Sequence, residues 1–173
     1  DYLISLEVRH NRADCLGVLG LAREVAANWG LTVKLPALRQ LVTGGAKLDI
    51  KVKADQLVKR IIAIKLDGLT NGPSPAWLKE FLGYYEINPI NLLVDLSNYV
   101  MIYSGYPGHL LDADKLRGGL QWSQNKVKIK LATLDQTELE LSGQELVIND
   151  QERILALAGL VGGQAAAIKA STT

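Results

Sequence analysis

Cysteine is almost missing from this chain. Cys15 is the single cysteine among 173 residues, so no disulfide can form within the chain. A reducing compartment, the cytoplasm, is therefore the expected location. Nothing near Cys15 in the sequence would lower the pKa of its thiol, so we expect a small buried side chain rather than a nucleophile.

Several other signals are scarce. The chain has two histidines, His10 and His109, and no ligand spacing typical of a metal site, so no metal is predicted. No glycine loop carries the lysine that phosphate binding needs. No apolar run reaches the length of a membrane span, and the first residues lack a signal-peptide pattern, so no membrane contact is predicted.

Charge of one sign is also lacking. Nineteen basic residues face eighteen acidic ones, for a formal net charge of +1, and no overall field indicates a nucleic-acid or membrane partner. The basic segment 47–65 favours a solvated strand face, although a local contact with a nucleic acid stays open. Nearly half of the residues, 48%, are hydrophobic, which is typical of a folded protein of one domain.

Apolar spacing predicts helices early in the chain and strands later. One helix is expected to begin at Asp14 and end at Gly30, and another to begin at Ser74 and Pro75. Gly105 and Pro107 end the element that carries residues 99–102, and 31–45 is loop-like. The predicted strands are 3–8, 48–52, 60–66, 127–131, 138–141, 145–148 and 154–157. This order predicts an α+β fold with mixed or antiparallel sheets and a few packed helices.

Ser97, Asn98 and His109 are polar residues in the largely apolar run 94–109. Packing alone does not require Ser97, Asn98 and His109 there, so a pocket is predicted. Each has an ordinary structural explanation when taken alone, as do the glycines at 159, 162 and 163, which commonly mark turns. A covalent serine mechanism is not favoured, because it needs a base that a third group orients.

Several blocks of the sequence resemble the B3/B4 region of the phenylalanyl-tRNA synthetase beta subunit. They follow the family's order over nearly the whole chain: 11–16, 20–27, 72–78, 94–101, positions between 105 and 116, 133–135 and 157–163. The resemblance implies a single B3/B4-like editing domain over residues 1–173, a fragment of a longer beta subunit. It also implies that the glutamate with which the family recognises a tyrosyl hydroxyl lies after Thr173.

The resemblance implies an activity and a set of residues. The family's domain hydrolyses tyrosine wrongly esterified to the phenylalanine tRNA. His109 and Asn98 match its catalytic positions, where they would hold the water and the ester. The positions that match its substrate-binding residues are Ser97, where the family usually has threonine, Pro107, Ala158, Gly159 and Gly162.

The resemblance also implies partners. These are the tRNA acceptor end, the synthetase alpha subunit and a second beta subunit in an alpha2beta2 assembly. No cofactor is expected in this domain, whereas the parent enzyme uses ATP and magnesium. Tyr106 and Gly108 depart from the family pattern around Pro107, so two alternatives stay open. One is a non-catalytic scaffold that binds tRNA or supports the assembly, and the other is a freestanding domain that edits in trans.

Overall fold

The computed structural model describes residues 2–37, 44–45 and 47–173. The chain divides into two units: one consists of Asp1–Thr43 and Asn71–His109, and the other of Gly44–Thr70 and Leu110–Thr173. Each unit is described by itself. The expectation of a single B3/B4-like domain over residues 1–173 stays a prediction.

The first unit contains the α-helices of the described chain. They are α1 (Val18–Trp29), α2 (Ala76–Gly83) and α3 (Leu92–Ser104), with a short 3-10 helix at Ala13–Cys15. Leu78 and Leu82 are fully buried and pack against Ile102 of α3. Because residues four apart share one face of a helix, α2 presents both leucines to the same core.

The helix ends agree with the sequence in part. Gly30 ends α1 in the left-handed conformation, as predicted, with φ of 65°. Gly105 ends α3 in the same way, with φ of 79°. The prediction that α1 begins at Asp14 is wrong, because Gly17 is its N-cap; the Asp14 carboxylate instead pairs with Arg12.

The start of α2 also differs from the prediction. Pro75, not Ser74, is the N-cap residue. The Ser74 hydroxyl does not cap a helix, because it donates to the carboxylate of Asp95. Leu78, Phe81 and Leu82 form an apolar stripe on α2, and Trp77 lies at its edge with 53% of its surface exposed.

The second unit contains two sheets. In chain order the strands are β1 (Ile50–Val52), β2 (Leu120–Gln124), β3 (Ile129–Ala132), β4 (Glu138–Leu141), β5 (Leu146–Asn149), β6 (Ile154–Leu157) and β7 (Val161–Gly162). The larger sheet has the order β1-β2-β5-β6-β7, and β3 and β4 form a hairpin. Only the β1–β2 pair is parallel among the described strands. The α+β prediction with mixed and antiparallel sheets is confirmed.

Two predicted strands are wrong. No strand forms at residues 3–8 or 60–66, all of which the structure describes. Ile4 and Ile62 are exposed there by 76% and 79%. Alternating or apolar sequence favours a strand only where a neighbouring strand supplies hydrogen bonds. Conversely, β2 and β7 were not predicted. Part of the loop-like stretch 31–45 lies outside the described residues.

Buried groups support the second unit around its larger sheet. Leu155 and Ala166 are fully buried in one cluster with Leu120. Asp112 is buried as well, and its carboxylate accepts the Thr172 hydroxyl at 2.8 Å and pairs with Lys115 at 2.9 Å. This contact fixes the last described segment of the chain against the short helix Ala113–Lys115.

Two further expectations concern Cys15 and membranes. Cys15 is buried, as predicted, and desolvation raises the pKa of its thiol. Within the described part of the chain, each helix is too short or too polar to cross a lipid bilayer.

We predict that Leu82→Ala lowers the free energy of unfolding by about 2–5 kcal/mol, because it opens a cavity in the core of the first unit. Leu16→Ala is the matched control, since the Leu16 side chain is 64% exposed, and we expect a change within about 0.5 kcal/mol. Urea denaturation of the two variants measures both values. Equal losses would contradict the burial assigned to Leu82.

Candidate functional site

A buried carboxylate fixes the helix that carries Ser97 and Asn98. Asp95 of α3 has no exposed surface. It accepts the Ser74 hydroxyl at 2.5 Å and the backbone N–H of Ile90 at 2.9 Å. Both bonds reach segments outside α3, so they hold this helix in a defined position. Asn91 adds an N-cap, because its side chain accepts the N–H of Val94 at 3.2 Å.

Ser97 and the loop after α3 lie side by side. Both Ser97 and Asn98 are half-buried. A Cβ atom built on Gly108 would be 3.8 Å from the Ser97 Oγ, so the backbone at Gly108 passes next to the hydroxyl. Pro107 and His109, the neighbours of Gly108, are exposed. The first unit therefore brings the predicted polar residues to one region, the loop and the helix before it.

A contact between two glycines holds the start of this loop. A Cβ on Gly17 would lie 2.4 Å from the backbone N of Gly105 and 2.7 Å from the carbonyl C of Ser104. Such distances exclude any side chain at position 17 unless the backbone moves. The beginning of α1 and the end of α3 therefore touch through backbone atoms alone. This contact could not be predicted from the sequence, because a glycine just before a helix is common and indicates no partner.

The environment of His109 favours its neutral form. Its side chain is exposed, yet nearby protein displaces enough water that desolvation lowers the pKa of the imidazole from its usual value. Burial disfavours a charged imidazolium. At neutral pH the ring is therefore uncharged and has one nitrogen that can accept a hydrogen bond.

In the second unit, Ala158 and Gly159 lie in the turn between β6 and β7, and Gly162 lies in β7 itself. Ala158 follows β6 and donates its N–H to the Leu146 carbonyl at 2.9 Å. Gly159 has φ of 74°, which favours glycine, and a Cβ there would meet no atom of the described structure within 4 Å. Gly162 is buried in β7. Its carbonyl accepts the N–H of Leu134 at 2.9 Å.

The structure thus places the predicted residues in two groups. Ser97, Asn98, Pro107 and His109 belong to the first unit, and Ala158, Gly159 and Gly162 to the second. In the first unit, the measured approach is that of Ser97 to Gly108, the residue between Pro107 and His109; in the second, Ala158 and Gly159 lie between β6 and the strand that contains Gly162. Their assignment as a catalytic and substrate-binding set stays a prediction.

Arg12 organises a polar cluster that sequence reasoning did not single out. Among the described residues, Asp14, Cys15 and Glu24 present ligand atoms within 4.8 Å of one another. The Arg12 guanidinium already provides a cation there, at 2.8 Å from Asp14 and 2.6 Å from Glu24. Its hydrogen bond lowers the pKa of Asp14 to about 2. The cluster therefore joins the short 3-10 helix Ala13–Cys15 to α1.

The second unit also has an open hollow of about 420 Å³ beside β1. Lys47, Asp49, Lys65 and Gln151 contribute to its wall. None of the predicted site residues lines it. The basic side chains of this region are exposed, as expected for a solvated face.

Three α-helices in the described chain, together with mixed and antiparallel sheets, make this an α+β protein. The family model of the B3/4 domain matches residues 57–173 of the chain. The chain belongs to the B3/4 domain family.

Curated relatives extend the similarity to the whole chain. The phenylalanine–tRNA ligase beta subunit of Carboxydothermus hydrogenoformans is 42% identical over 167 residues, 95% of this chain and 21% of that protein. That of Moorella thermoacetica is 40% identical, over 100% of this chain and 22% of the relative. That of Bdellovibrio bacteriovorus is 42% identical over the same shares. The chain therefore spans about a fifth of the length of these relatives.

We predict that Gly17→Ala destabilises the protein by about 1–3 kcal/mol, the usual range for forced overpacking, because the new methyl group meets the backbone of Gly105. Gly83→Ala is the control. Position 83 is helical, and a Cβ there would meet nothing within 4 Å, so stability should stay constant or rise slightly. Thermal unfolding distinguishes the two. A neutral Gly17→Ala would contradict the glycine contact.

Proposed function

We propose that this chain is the B3/4 part of a phenylalanine–tRNA ligase beta subunit and that it hydrolyses tyrosine wrongly esterified to the phenylalanine tRNA. The first half of the proposal is supported by relatives that carry this name and cover the chain at about 40% identity. The second half is supported by the residues at the end of α3. The observation that carries it is the Ser97 hydroxyl beside Gly108, one residue before His109.

The proposed reaction answers a physical limit of the parent enzyme. Tyrosine differs from phenylalanine by one hydroxyl, and an apolar synthetic pocket rejects such an addition by only about a hundredfold. A second site that accepts the hydroxylated product and hydrolyses it removes the remaining errors. The reaction attacks the ester carbon with water, releases the tRNA hydroxyl and leaves free tyrosine.

The polar residues of the first unit suit this reaction. A neutral imidazole at His109 can accept a proton of the attacking water, which orients the water toward the ester. The Asn98 amide and the Ser97 hydroxyl supply hydrogen-bond donors for the oxyanion or the ester oxygens. The ester is already activated, so positioning alone supplies much of the rate.

The second unit is proposed to bind the amino acid. Ala158, Gly159 and Gly162 have little or no side chain, which leaves space for an aromatic ring. Within the first unit, Pro107 is proposed to offer an apolar surface beside His109. By this proposal the tRNA acceptor end is the substrate, and the alpha subunit and a second beta subunit are partners. The ATP and magnesium of the parent ligase serve aminoacylation on the alpha subunit, so the hydrolytic step needs no cofactor from this chain.

We predict that the complete gene product deacylates tyrosyl-tRNA made with the phenylalanine tRNA and that His109→Ala lowers the rate about a hundredfold or more, as loss of a positioning base implies. His10→Ala is a matched control, since His10 is the chain's other histidine and is exposed. Release of radiolabelled tyrosine measures both. If the wild-type protein leaves the ester intact, the scaffold alternative replaces the editing proposal.

We predict that Gly162→Trp weakens hydrolysis as well, because a large side chain would occupy the space proposed for the tyrosyl ring. Gly83→Trp is the control, since position 83 is exposed and open. The same tyrosine-release assay applies to both. Wild-type hydrolysis by Gly162→Trp would remove Gly162 from the proposed pocket.

The pH dependence follows from the lowered pKa of His109. Its neutral form is the proposed active form, so the rate should be constant above neutral pH and fall as protonation removes that form on acidification. The midpoint should lie below about 6.5, the usual value for histidine. Rates between pH 5 and pH 8, corrected for uncatalysed ester hydrolysis and taken in buffers of equal ionic strength, measure this midpoint. A midpoint above the usual value would contradict the assignment.

A further inference from the structure

The tip of the β3–β4 hairpin, residues 133–137, contacts the strand that contains Gly162. Leu134 donates its N–H to the Gly162 carbonyl at 2.9 Å. Thr133 forms an isolated antiparallel bridge with Gly163, and the Gln164 side chain donates to the Thr133 carbonyl at 2.9 Å. The hairpin tip therefore both donates a hydrogen bond to β7 and accepts one from the residue that follows Gly163.

Thr133 sets the shape of this tip. It has no exposed surface, although it lies in the turn of a two-stranded sheet. Its hydroxyl donates to the Asp135 carboxylate and lies 2.8 Å from the Thr137 hydroxyl. The N–H of Thr133 also donates to the Thr137 carbonyl at 2.9 Å. The buried hydroxyl thus closes the turn together with the Thr133–Thr137 backbone hydrogen bond, next to the N–H of Leu134.

The strand β7 needs this support. It has two residues and is the last strand of the larger sheet, and so short a strand is weakly held by its own pairing. The adjacent Gly163 is pressed against β6, because a Cβ there would lie 2.7 Å from the Leu155 carbonyl oxygen. The hairpin tip covers the other edge of β7. Gly162 is consequently held between two backbone segments.

We propose that Thr133 is a positioning residue that acts through the hairpin tip to place Gly162, and thereby sets how well the amino acid of the substrate is bound. This inference rests on the proposed function for its consequence in binding. Its mechanical part, control of the Leu134–Gly162 hydrogen bond, does not. Thr133 has no contact with substrate in this proposal and takes no part in the chemical step.

The first arm of the test measures hydrogen exchange in the complete gene product. Thr133→Val keeps the shape of the buried side chain and removes its hydroxyl, and Gln164→Met removes a single donor at an exposed position. Amide exchange at Leu134 should become about fivefold faster in each, as the loss of one net hydrogen bond implies. Thr133→Ser should restore the wild-type rate, because it retains the hydroxyl.

Thr172→Val is the matched control for this arm. Thr172 is also buried, and its hydroxyl donates to Asp112 rather than to the hairpin. The same loss of a buried hydroxyl should leave exchange at Leu134 unchanged. If Thr133→Val is folded and Leu134 exchanges at the wild-type rate, or if Thr172→Val accelerates it equally, the inference is overturned.

The second arm measures hydrolysis of tyrosyl-tRNA. If Gly162 is displaced, binding of the amino acid is weakened equally in the ground state and the transition state. KM should therefore rise about fivefold in Thr133→Val and Gln164→Met, with kcat nearly constant. Thr133→Ser should behave as wild type. An altered exchange rate with an unchanged KM overturns the inference and leaves the proposed function intact. If the wild-type protein has no hydrolytic activity, the proposed function fails and exchange at Leu134 alone decides the role of Thr133.

Discussion

The first unit depends on one buried carboxylate, that of Asp95. A charged or polar group without exposed surface is costly unless donors surround it. Here the donors are the Ser74 hydroxyl, before α2, and the Ile90 N–H, before α3. Satisfying Asp95 therefore requires that both segments converge on α3, which fixes the direction of this helix. Ser97 and Asn98 follow within a single turn, so their position results from a constraint that is itself unrelated to their chemistry.

Each unit uses close backbone approach to hold the loop that carries its own predicted residues. Gly17 meets Gly105 at the start of the loop that contains His109, and Gly163 meets the Leu155 carbonyl beside Gly162. Side chains at these contacts would separate the segments, whereas glycine allows backbone atoms to pack and to exchange hydrogen bonds directly. Backbone contacts have few rotameric alternatives, so they position a loop more narrowly than flexible side chains do. In each unit, glycine therefore lies next to the residues predicted for the site.

Local sequence signals predicted the parts of this fold that depend on local physics. Gly30 and Gly105 end helices because few other residues adopt a left-handed backbone, and β6 was predicted because its flanking turns limit it. The failures are non-local. Residues 60–66 have strand-like composition but no pairing partner in the described chain, while β7 is too short to show a pattern and exists because β6 and Leu134 flank it. In the candidate site, Ser97, Asn98 and His109 stood out as polar groups in an apolar run, whereas the supporting role of Thr133 depends on contacts made almost thirty residues away along the chain.

Aromatic residues on the facing sides of α2 and α3 give the first unit an intrinsic fluorescent probe, Trp77. Trp77 of α2 meets Tyr99 of α3 edge to face, with ring centroids 5.5 Å apart, and Tyr99 directly follows Asn98. Indole emission depends strongly on the groups around the ring, and Trp77 is also partly open to solvent. A shift of the helix bearing the polar residues would therefore alter the emission of Trp77, which lies outside the candidate site. With the other two tryptophans, Trp29 and Trp122, replaced, that emission would report the movement without any added label.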